Sequence, residues 1–227
     1  LTLSVLMPVY NELERVERAI TEVLSADLPT DIELIVVDDG STDGTRELLR
    51  GGSWDGRVRY FEHEHNRGKG AAVQTALAQA TGEFAAIFDA DLEYDPADLA
   101  LLLSPLMAGR ANVAFGVRAF DGYSSHSFWY VIGNRSVTLA CNLLYNVFLH
   151  DIMTCQKVLR TELFRSLELT ANGFTIEPEI TARLLRRGER IYEVPVSYQA
   201  RSHAEGKKLT AYDGVRTLAM LVRCRVS

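Results

Sequence analysis

Apolar residues in the first half of the chain follow two alternating patterns. Short apolar runs, typical of strands buried in a sheet, lie at residues 3–9, 32–37, 58–61, 84–88 and 112–117. Between these runs the apolar positions have the spacing of one helix face, at residues 12–25, 42–49, 70–80 and 96–107. This alternation predicts an α/β fold with a largely parallel sheet and helices on both faces.

The second half of the chain is less regular. Its pattern predicts a long amphipathic helix, a strand, a helix, a strand and a closing helix at residues 127–149, 155–159, 177–187, 190–198 and 210–223. Because no linker, repeat or low-complexity tract separates the halves, we expect a single domain over residues 1–227. We find neither a signal peptide nor an apolar stretch that qualifies as a membrane span.

The composition is ordinary for a globular protein, with 47% hydrophobic and 24% charged residues among 227. The net charge of −6 argues against sequence-independent nucleic-acid binding, which needs a basic face. From Arg201 onward, however, six basic and two acidic residues give a local charge of +4. That basic tail indicates a phosphate or a membrane surface as partner, although a solvated helix end explains it equally well.

The cysteines are few and widely spaced, so they fit neither a disulfide framework nor a zinc ribbon. We therefore expect buried free thiols in a reducing compartment at Cys141, Cys155 and Cys224. The only close pair of histidines, His63 and His65, alternates at a strand end and is expected on the surface rather than at a metal.

Polar clusters follow the five predicted strands of the first half. In open α/β sheets, ligands bind beyond the carboxyl ends of the strands. Five clusters at one edge are hard to explain by folding alone, so we expect a ligand site there. The clusters lie at residues 8–12, 38–41, 66–70, 89–91 and 116–118.

Asp89 and Asp91 give the most specific indication of chemistry in these clusters. Residues two apart on an extended segment point to the same side, and paired carboxylates repel unless a cation lies between them. Glu93 continues the same face. Mg²⁺ binds carboxylate oxygens and keeps positions for water and phosphate. The alternative is a pair of turn or capping aspartates before Pro96; the position after a buried strand favours a metal site.

Asp38 and Asp39 follow the second strand, where a carboxylate can accept a hydrogen bond from a ribose hydroxyl or a base N–H. The alternative is an Asx turn, with Asp43 capping the next helix. The chain lacks Gly-x-Gly-x-x-Gly, the fingerprint of dinucleotide binding. The segment around Lys69 superficially resembles a phosphate-binding P-loop but lacks its spaced first glycine and its Ser or Thr.

Taken together, these residues resemble glycosyltransferase family 2. The N-terminal motifs are Pro8-x-Tyr10-Asn11-Glu12, Asp38-Asp39-Gly40-Ser41, Asn66-x-Gly68-x-Gly70 and Asp89-x-Asp91. Later motifs resemble the dolichyl- and polyprenyl-phosphate sugar synthase branch: Gly116-x-Arg118, Gly133-Asn134-Arg135, Gly173-Phe174-x-x-Glu177-x-Glu179 and Arg201-x-x-x-Glu205-Gly206-Lys207-Lys208. The resemblance covers nearly the whole chain. It implies the GT-A fold, with a nucleotide-sugar-binding half at residues 1–117 and an acceptor-binding half with a C-terminal helix at residues 118–227.

The resemblance also implies roles for individual residues. The nucleotide would contact Pro8, Tyr10, Glu12, Asp38, Asp39, Lys69, Asp89 and Lys207. A Mg²⁺ or Mn²⁺ cofactor would be held by Asp89, Asp91 and Glu93, the last standing where the family often has Gln. The acceptor phosphate would meet Arg118, Arg135, Ser136 and Lys208. Catalysis would depend on Asp91, Asp89, Arg118 and Arg201, the last with Lys207 and Lys208 on a mobile loop.

The implied reaction is inverting, metal-dependent transfer of a hexose from a nucleotide sugar of the GDP-mannose or UDP-glucose type. The implied acceptor is a polyprenyl or dolichyl phosphate, with the protein peripheral at the cytoplasmic face of the membrane. A phosphate acceptor is already ionised and needs cations rather than a base.

Two alternatives stay open. In the first, a family 2 enzyme glycosylates a polysaccharide or protein hydroxyl, and a general base is then needed. Glu177 and Glu179 could supply that base, although we favour solvent-facing acids at a helix N-terminus for both. In the second alternative, the protein binds a nucleotide sugar without turnover.

Overall fold

The computed structural model describes residues 1–118, 128–199 and 211–226, with side chains omitted at 128–130 and 211–213. Across these residues the chain forms one seven-stranded sheet in the order β3-β2-β1-β4-β6-β5-β7. The strands are β1 (Thr2–Val9), β2 (Asp31–Asp38), β3 (Val58–Glu62), β4 (Phe84–Ile87), β5 (Val113–Arg118), β6 (Lys157–Arg160) and β7 (Ile191–Val196). The helices are α1 (Val16–Ser25), α2 (Thr45–Gly51), α3 (Lys69–Gln79), α4 (Asp98–Met107), α5 (Phe128–Tyr145), α6 (Thr161–Ser166), α7 (Ile176–Arg186) and α8 (Ala211–Val226).

The sheet is parallel except at one strand. β1 pairs in parallel with β2 and β4, β2 with β3, and β5 with β7. β6 runs antiparallel to both of its neighbours, β4 and β5. The carboxyl ends of the other six strands therefore lie at one edge, as the sequence predicts for the five strands of its first half. The largely parallel sheet flanked by helices is confirmed.

The apolar pattern of the strands accounts for the core. Residues 34–37 of β2 and residues 84–87 of β4 are buried without interruption, as expected for strands with helices on both faces. The main apolar cluster is built on the sheet. A second, smaller cluster lies among α5, α7 and α8. The thiols of Cys141, Cys155 and Cys224 are buried and free, as predicted.

Several helices begin or end at residues other than those predicted. The helix predicted from residue 12 begins instead at Val16, because residues 12–15 form a turn in which the carbonyl of Glu12 accepts two amide N–H groups. The long helix predicted to residue 149 ends at Tyr145. Asn146 adopts a left-handed φ of 51°, and the side-chain amide of Asn142 binds both backbone groups of Leu149. The short helix α6 was not predicted.

In residues 1–118, 128–199 and 211–226, no helix combines the length and apolar character needed to cross a bilayer.

Candidate active site

A cleft of about 310 Å³ opens at the edge of the sheet where the carboxyl ends of β1, β2, β3 and β4 meet. The loops after these four strands supply most of its wall, and the end of β1, the start of α3, and Gly173 and Phe174 just before α7 supply the rest. No separate role was predicted for these two residues. The cleft brings together seven of the predicted site residues: Pro8, Tyr10, Glu12, Asp39, Lys69, Asp89 and Asp91.

Asp39 fixes the loop that follows β3. Its carboxylate accepts hydrogen bonds from the backbone N–H of Arg67 at 2.9 Å and of Gly68 at 2.7 Å. The same loop packs against Gly40, whose φ of +76° is left-handed and whose added Cβ would lie 2.4 Å from the nitrogen of Asn66. The Asp-Asp-Gly and Asn-x-Gly motifs are therefore parts of one packed unit beside the cleft.

His63 is buried rather than on the surface, so the surface expectation for this residue is wrong. Only 6% of its surface is exposed. Its Nδ1 lies 2.6 Å from Oδ1 of Asp39, and its Nε2 lies 2.9 Å from Oγ1 of Thr75. The register of β2 and β3 pairs Asp38 with Glu62, and the residues that follow them, Asp39 and His63, therefore meet.

Asp38 does not line the cleft with Asp39. Its carboxylate is fully buried, accepts from the N–H of Ser41 at 3.2 Å and forms an ion pair with Arg46 at 3.0 Å. Asp38 thus holds the turn after β2, although it accepts from the N–H three residues on rather than from the N–H two residues on that defines an Asx turn. This placement corrects the expectation that Asp38 contacts the nucleotide.

Asp89 and Asp91 both line the cleft. An oxygen of Asp89 lies 2.7 Å from Nζ of Lys69, and Oδ1 of Asp91 accepts the N–H of Glu93 at 3.1 Å. Burial alone would lower the pKa of Lys69, but the charges of Asp89 and Glu177 outweigh it and raise that pKa well above its ordinary value. Lys69 is therefore a cation at the cleft wall.

Glu93 does not continue the face of the two aspartates, which corrects the predicted three-carboxylate set. The strand β4 ends at Ile87, and Leu92 has a left-handed φ of 61°, so the alternation of an extended strand is lost. The carboxylate of Glu93 instead accepts from the hydroxyl of Tyr198 at 2.9 Å.

The donor set that the cleft offers a metal is therefore small. Among the described residues, no group of three or more His, Cys, Asp or Glu side chains is placed to hold an ion. Two aspartates in an open cleft nevertheless fit a Mg²⁺-like ion, which is commonly bound by one or two carboxylates and completed by phosphate and water.

Glu177 and Glu179 are buried in α7, so the expectation of solvent-facing acids is wrong. Glu177 is 3% exposed, and its two oxygens lie 3.1 Å from Nζ of Lys69 and 2.9 Å from Nζ of Lys157. Glu179 accepts the backbone N–H of Thr170 at 3.0 Å and of Ala171 at 2.7 Å. Both carboxylates are engaged inside the protein.

The glycines at the start of α3 allow the segment before α7 to approach closely. A Cβ on Gly68 would lie 2.4 Å from the carbonyl oxygen of Asn172, and one on Gly70 would lie 2.2 Å from that of Ala171. The N–H of Ala71 also donates to Asn172 at 3.0 Å. The Gly-x-Gly motif thus joins α3 to the segment that carries Gly173.

Arg118 is buried at the end of β5 and does not line the cleft. Its guanidinium binds both carboxylate oxygens of Asp151, at 2.6 and 2.9 Å, and lies 5.1 Å from the ring centroid of Tyr198. Burial alone would raise the pKa of Asp151, but the charge of Arg118 outweighs it and lowers that pKa. Asp151 was not predicted as a site residue.

The other predicted acceptor residues are not in the cleft. Arg135 and Ser136 are exposed on α5, and the hydroxyl of Ser136 donates to the carbonyl of Ile132 at 2.8 Å. Their neighbour Asn134 is the buried residue of this motif and donates to Asp151 at 3.1 Å. The remaining predicted residues lie outside the described part of the chain: Arg201, Lys207 and Lys208.

Comparison with solved structures concerns the fold. The mannosyl-3-phosphoglycerate synthase from Rubrobacter xylanophilus gives a TM-score of 0.75 at 21% identity, over 100% of this chain and 73% of that one. The glucosyl-3-phosphoglycerate synthase from Mycobacterium tuberculosis was solved with Mn²⁺, uridine diphosphate and glucosyl-3-phosphoglycerate. It gives a TM-score of 0.73 at 22% identity, over 99% of this chain and 80% of that one. The predicted GT-A fold is confirmed.

Curated relatives include sugar synthases of polyprenyl phosphates. The dodecaprenyl-phosphate galacturonate synthase of Rhizobium johnstonii is 30% identical over 213 residues, covering 91% of this chain and 62% of that protein. The dolichol-phosphate mannosyltransferase of Pyrococcus furiosus is 26% identical over 208 residues, covering 90% and 58%. The chain thus spans about three fifths of the length of these two relatives. The family profile described as Glycosyl transferase family 2 matches residues 4–168, and the chain therefore belongs to glycosyltransferase family 2.

Proposed function

We propose that this protein transfers a hexose, with inversion and with a divalent metal ion, from a nucleotide sugar to a polyprenyl or dolichyl phosphate. The observation that carries the proposal is the shared cleft, in which Asp89, Asp91 and Lys69 lie together with Tyr10 and Glu12. An aromatic ring and a carboxylate suit a base and a ribose, and the aspartates with a lysine suit a metal-bound diphosphate.

The donor half of the reaction needs positive charge near the leaving group. Asp89 and Asp91 would hold Mg²⁺ or Mn²⁺, which supplies charge that stabilises a departing nucleoside diphosphate. The ammonium of Lys69 adds a fixed cation in the same cleft. Lys69 is also the first residue of α3, and the amino end of a helix favours a phosphate group.

The engaged carboxylates of α7 support a phosphate acceptor over a hydroxyl acceptor. A hydroxyl acceptor needs a general base, and the candidates for it were Glu177 and Glu179. Glu179 is bonded to the backbone N–H groups of Thr170 and Ala171, and Glu177 is bonded to Lys157. Both oxygens of Glu177 are within 3.1 Å of lysine ammonium groups inside the protein. A phosphate acceptor does not need that base. The named activities of the two curated relatives, which act on dodecaprenyl phosphate and dolichol phosphate, agree with this choice.

We further propose that the protein acts as a peripheral protein at the cytoplasmic face of a membrane. Two helices that pack on each other, α5 and α8, expose large apolar side chains. Basic side chains stand among them on α8, a combination that binds anionic lipid surfaces. Over residues 214–226, the exposed residues of α8 are Val215, Arg216, Leu218, Ala219, Val222, Arg223, Arg225 and Val226.

The test incubates the protein with Mg²⁺ or Mn²⁺, a polyprenyl phosphate and radiolabelled GDP-mannose, UDP-glucose or UDP-N-acetylglucosamine. We expect label from one donor in the organic phase, and its loss in Asp91→Ala. If a donor were bound or hydrolysed with metal and no label entered the lipid, the hydroxyl-acceptor alternative would replace the proposal. If a donor were bound without turnover on lipid or hydroxyl acceptors, the protein would be a binding protein.

A further inference from the structure

Four side chains of alternating charge connect the interior of the protein to the wall of the cleft. Nζ of Lys157 lies 2.9 Å from Glu177, Glu177 lies 3.1 Å from Nζ of Lys69, and Lys69 lies 2.7 Å from Asp89. Three of the four side chains are at most 12% exposed, and only the last, Asp89, is more open to solvent. We call this row of side chains the ion chain.

The inner end of the ion chain is fully satisfied within the protein. Lys157 has no exposed side-chain surface, and its ammonium donates to the carbonyls of Ile152 and Thr154 as well as to Glu177. Burial lowers the pKa of Lys157, and the carboxylate of Glu177 opposes that shift. A buried ion pair of this kind adds little net stability compared with an apolar pair of similar volume. Stability alone is therefore a weak reason for its position beneath the cleft.

We propose that Glu177 and Lys157 are positioning residues that act through Lys69 on Asp89. Lys157 donates a hydrogen bond to the carboxylate of Glu177, and Glu177 attracts the ammonium of Lys69 through an ionic contact without hydrogen-bond geometry. Lys69, bonded to Asp89, would then orient that carboxylate, one of the two that would hold the metal ion. This inference rests on the proposed function, because it assigns a role to side chains behind the same cleft.

The backbone around the ion chain supports the same conclusion. Lys69 is flanked by Gly68 and Gly70, which pack against the segment just before α7, and α7 carries Glu177. The backbone at Lys69 and the tip of its side chain are thus both held by neighbouring parts of the chain. A lysine fixed at both ends loses most of its usual rotamer freedom, which is what an anchor for a metal-binding carboxylate requires.

The test measures binding before any reaction. Mn²⁺ binding is titrated by electron paramagnetic resonance, with and without uridine or guanosine diphosphate, for the wild-type chain and for Lys157→Met/Glu177→Leu. The double variant removes both charges at similar volume but leaves the carbonyls of Ile152 and Thr154 without their donor, so we expect a lower unfolding midpoint and a chain that is still folded at the assay temperature. Removing a partner that orients a metal ligand typically weakens metal affinity by 10- to 100-fold, and we expect a loss of about tenfold or more, with an altered Mn²⁺ spectrum.

Glu33→Gln is the matched control. Glu33 is also a largely buried carboxylate with several hydrogen bonds, to Ser4, Thr81 and Arg59, but it lies near the amino end of β2, away from the cleft. We expect Glu33→Gln to bind Mn²⁺ and nucleotide as the wild type does. Should the double variant not fold, the isosteric Glu177→Gln is measured in its place, with the same expected loss.

The outcomes separate this inference from the proposed function. If the wild-type chain bound Mn²⁺ with nucleotide and a folded variant of Glu177 bound it equally tightly, the ion chain would be structural only and the inference would be overturned. If the wild-type chain bound neither metal nor nucleotide, the proposed function would fail and this inference with it.

Discussion

Replacing Asp151 by Asn tests whether the buried pair at the end of β5 depends on its charges. Asp151 accepts hydrogen bonds from Nε and Nη2 of Arg118, from Asn134 and from the backbone N–H of Met153. In Asp151→Asn, one of the oxygens facing Arg118 becomes an NH₂ group. A donor then faces a donor, and the guanidinium stays buried beside a neutral amide.

The magnitude follows from burial. The side chains of Arg118 and Asp151 are 4% and 1% exposed, so solvent does not screen their attraction. Breaking such a pair by removing one charge costs about 3–5 kcal/mol, out of the 5–15 kcal/mol of a typical domain. We expect Asp151→Asn to lose about 3 kcal/mol of unfolding free energy or more. Arg118→Met/Asp151→Leu removes both charges and should recover part of that loss, because the N–H groups of Asn134 and Met153 then lack their acceptor.

The same pair predicts a dependence on pH. The pKa of Asp151 is lower in the folded chain than its ordinary 3.8, so the folded state favours the ionised form. The resulting stabilisation is fully present above about pH 4 and is lost as the pH falls through the folded pKa. Wild-type stability should therefore fall between neutral and acid pH by more than that of Asp151→Asn.

Urea unfolding followed by circular dichroism at pH 7 and at acid pH measures both effects. Glu83→Gln is the control, because Glu83 pairs with Arg160 at the surface and both are about 40% exposed; an exposed pair contributes at most about 1 kcal/mol. A loss below about 1 kcal/mol in Asp151→Asn, equal to that of the control, would refute the reasoning.

Three further outcomes are expected. Gly70→Ala places a Cβ 2.2 Å from the carbonyl oxygen of Ala171. Urea unfolding should therefore show a loss of roughly 1–3 kcal/mol of unfolding free energy, as for an overpacked core. A variant as stable as the wild type would show that the segment before α7 moves aside without cost. Gly133→Ala, in open space on α5, should instead gain about 0.5–1 kcal/mol, and a loss would contradict the helix geometry. Burial raises the pKa of Cys141 to about 12, so its thiol should resist a thiol reagent at pH 8 until the chain unfolds; rapid labelling of the native protein would contradict its burial.

Local patterns were sufficient to predict the order of the strands along the chain and the edge of the sheet at which the site lies. Continuous apolar runs such as residues 34–37 demand burial on both faces, and parallel strands place their carboxyl ends together. Asp89, Asp91 and Lys69 therefore meet in one cleft, as their positions in the sequence predict. The family followed from the same motifs.

The direction and the burial of individual side chains were decided by contacts between distant parts of the chain. Asp38 and Asp39 are neighbours, yet one is fixed by Arg46 and the other holds the loop at Gly68. Likewise, nothing near Glu177 in the sequence shows that two lysines, 20 and 108 positions away, meet its carboxylate.

The sequence by itself thus determined the α/β class, the family and the edge of the sheet that carries the site, because periodicity and motif spacing are local properties. Only the tertiary structure decided that Glu93 pairs with Tyr198 and that Arg118 is held by Asp151. The physical reason is that a buried charge takes the partner that the fold brings to it, and that partner is set by packing rather than by distance along the chain.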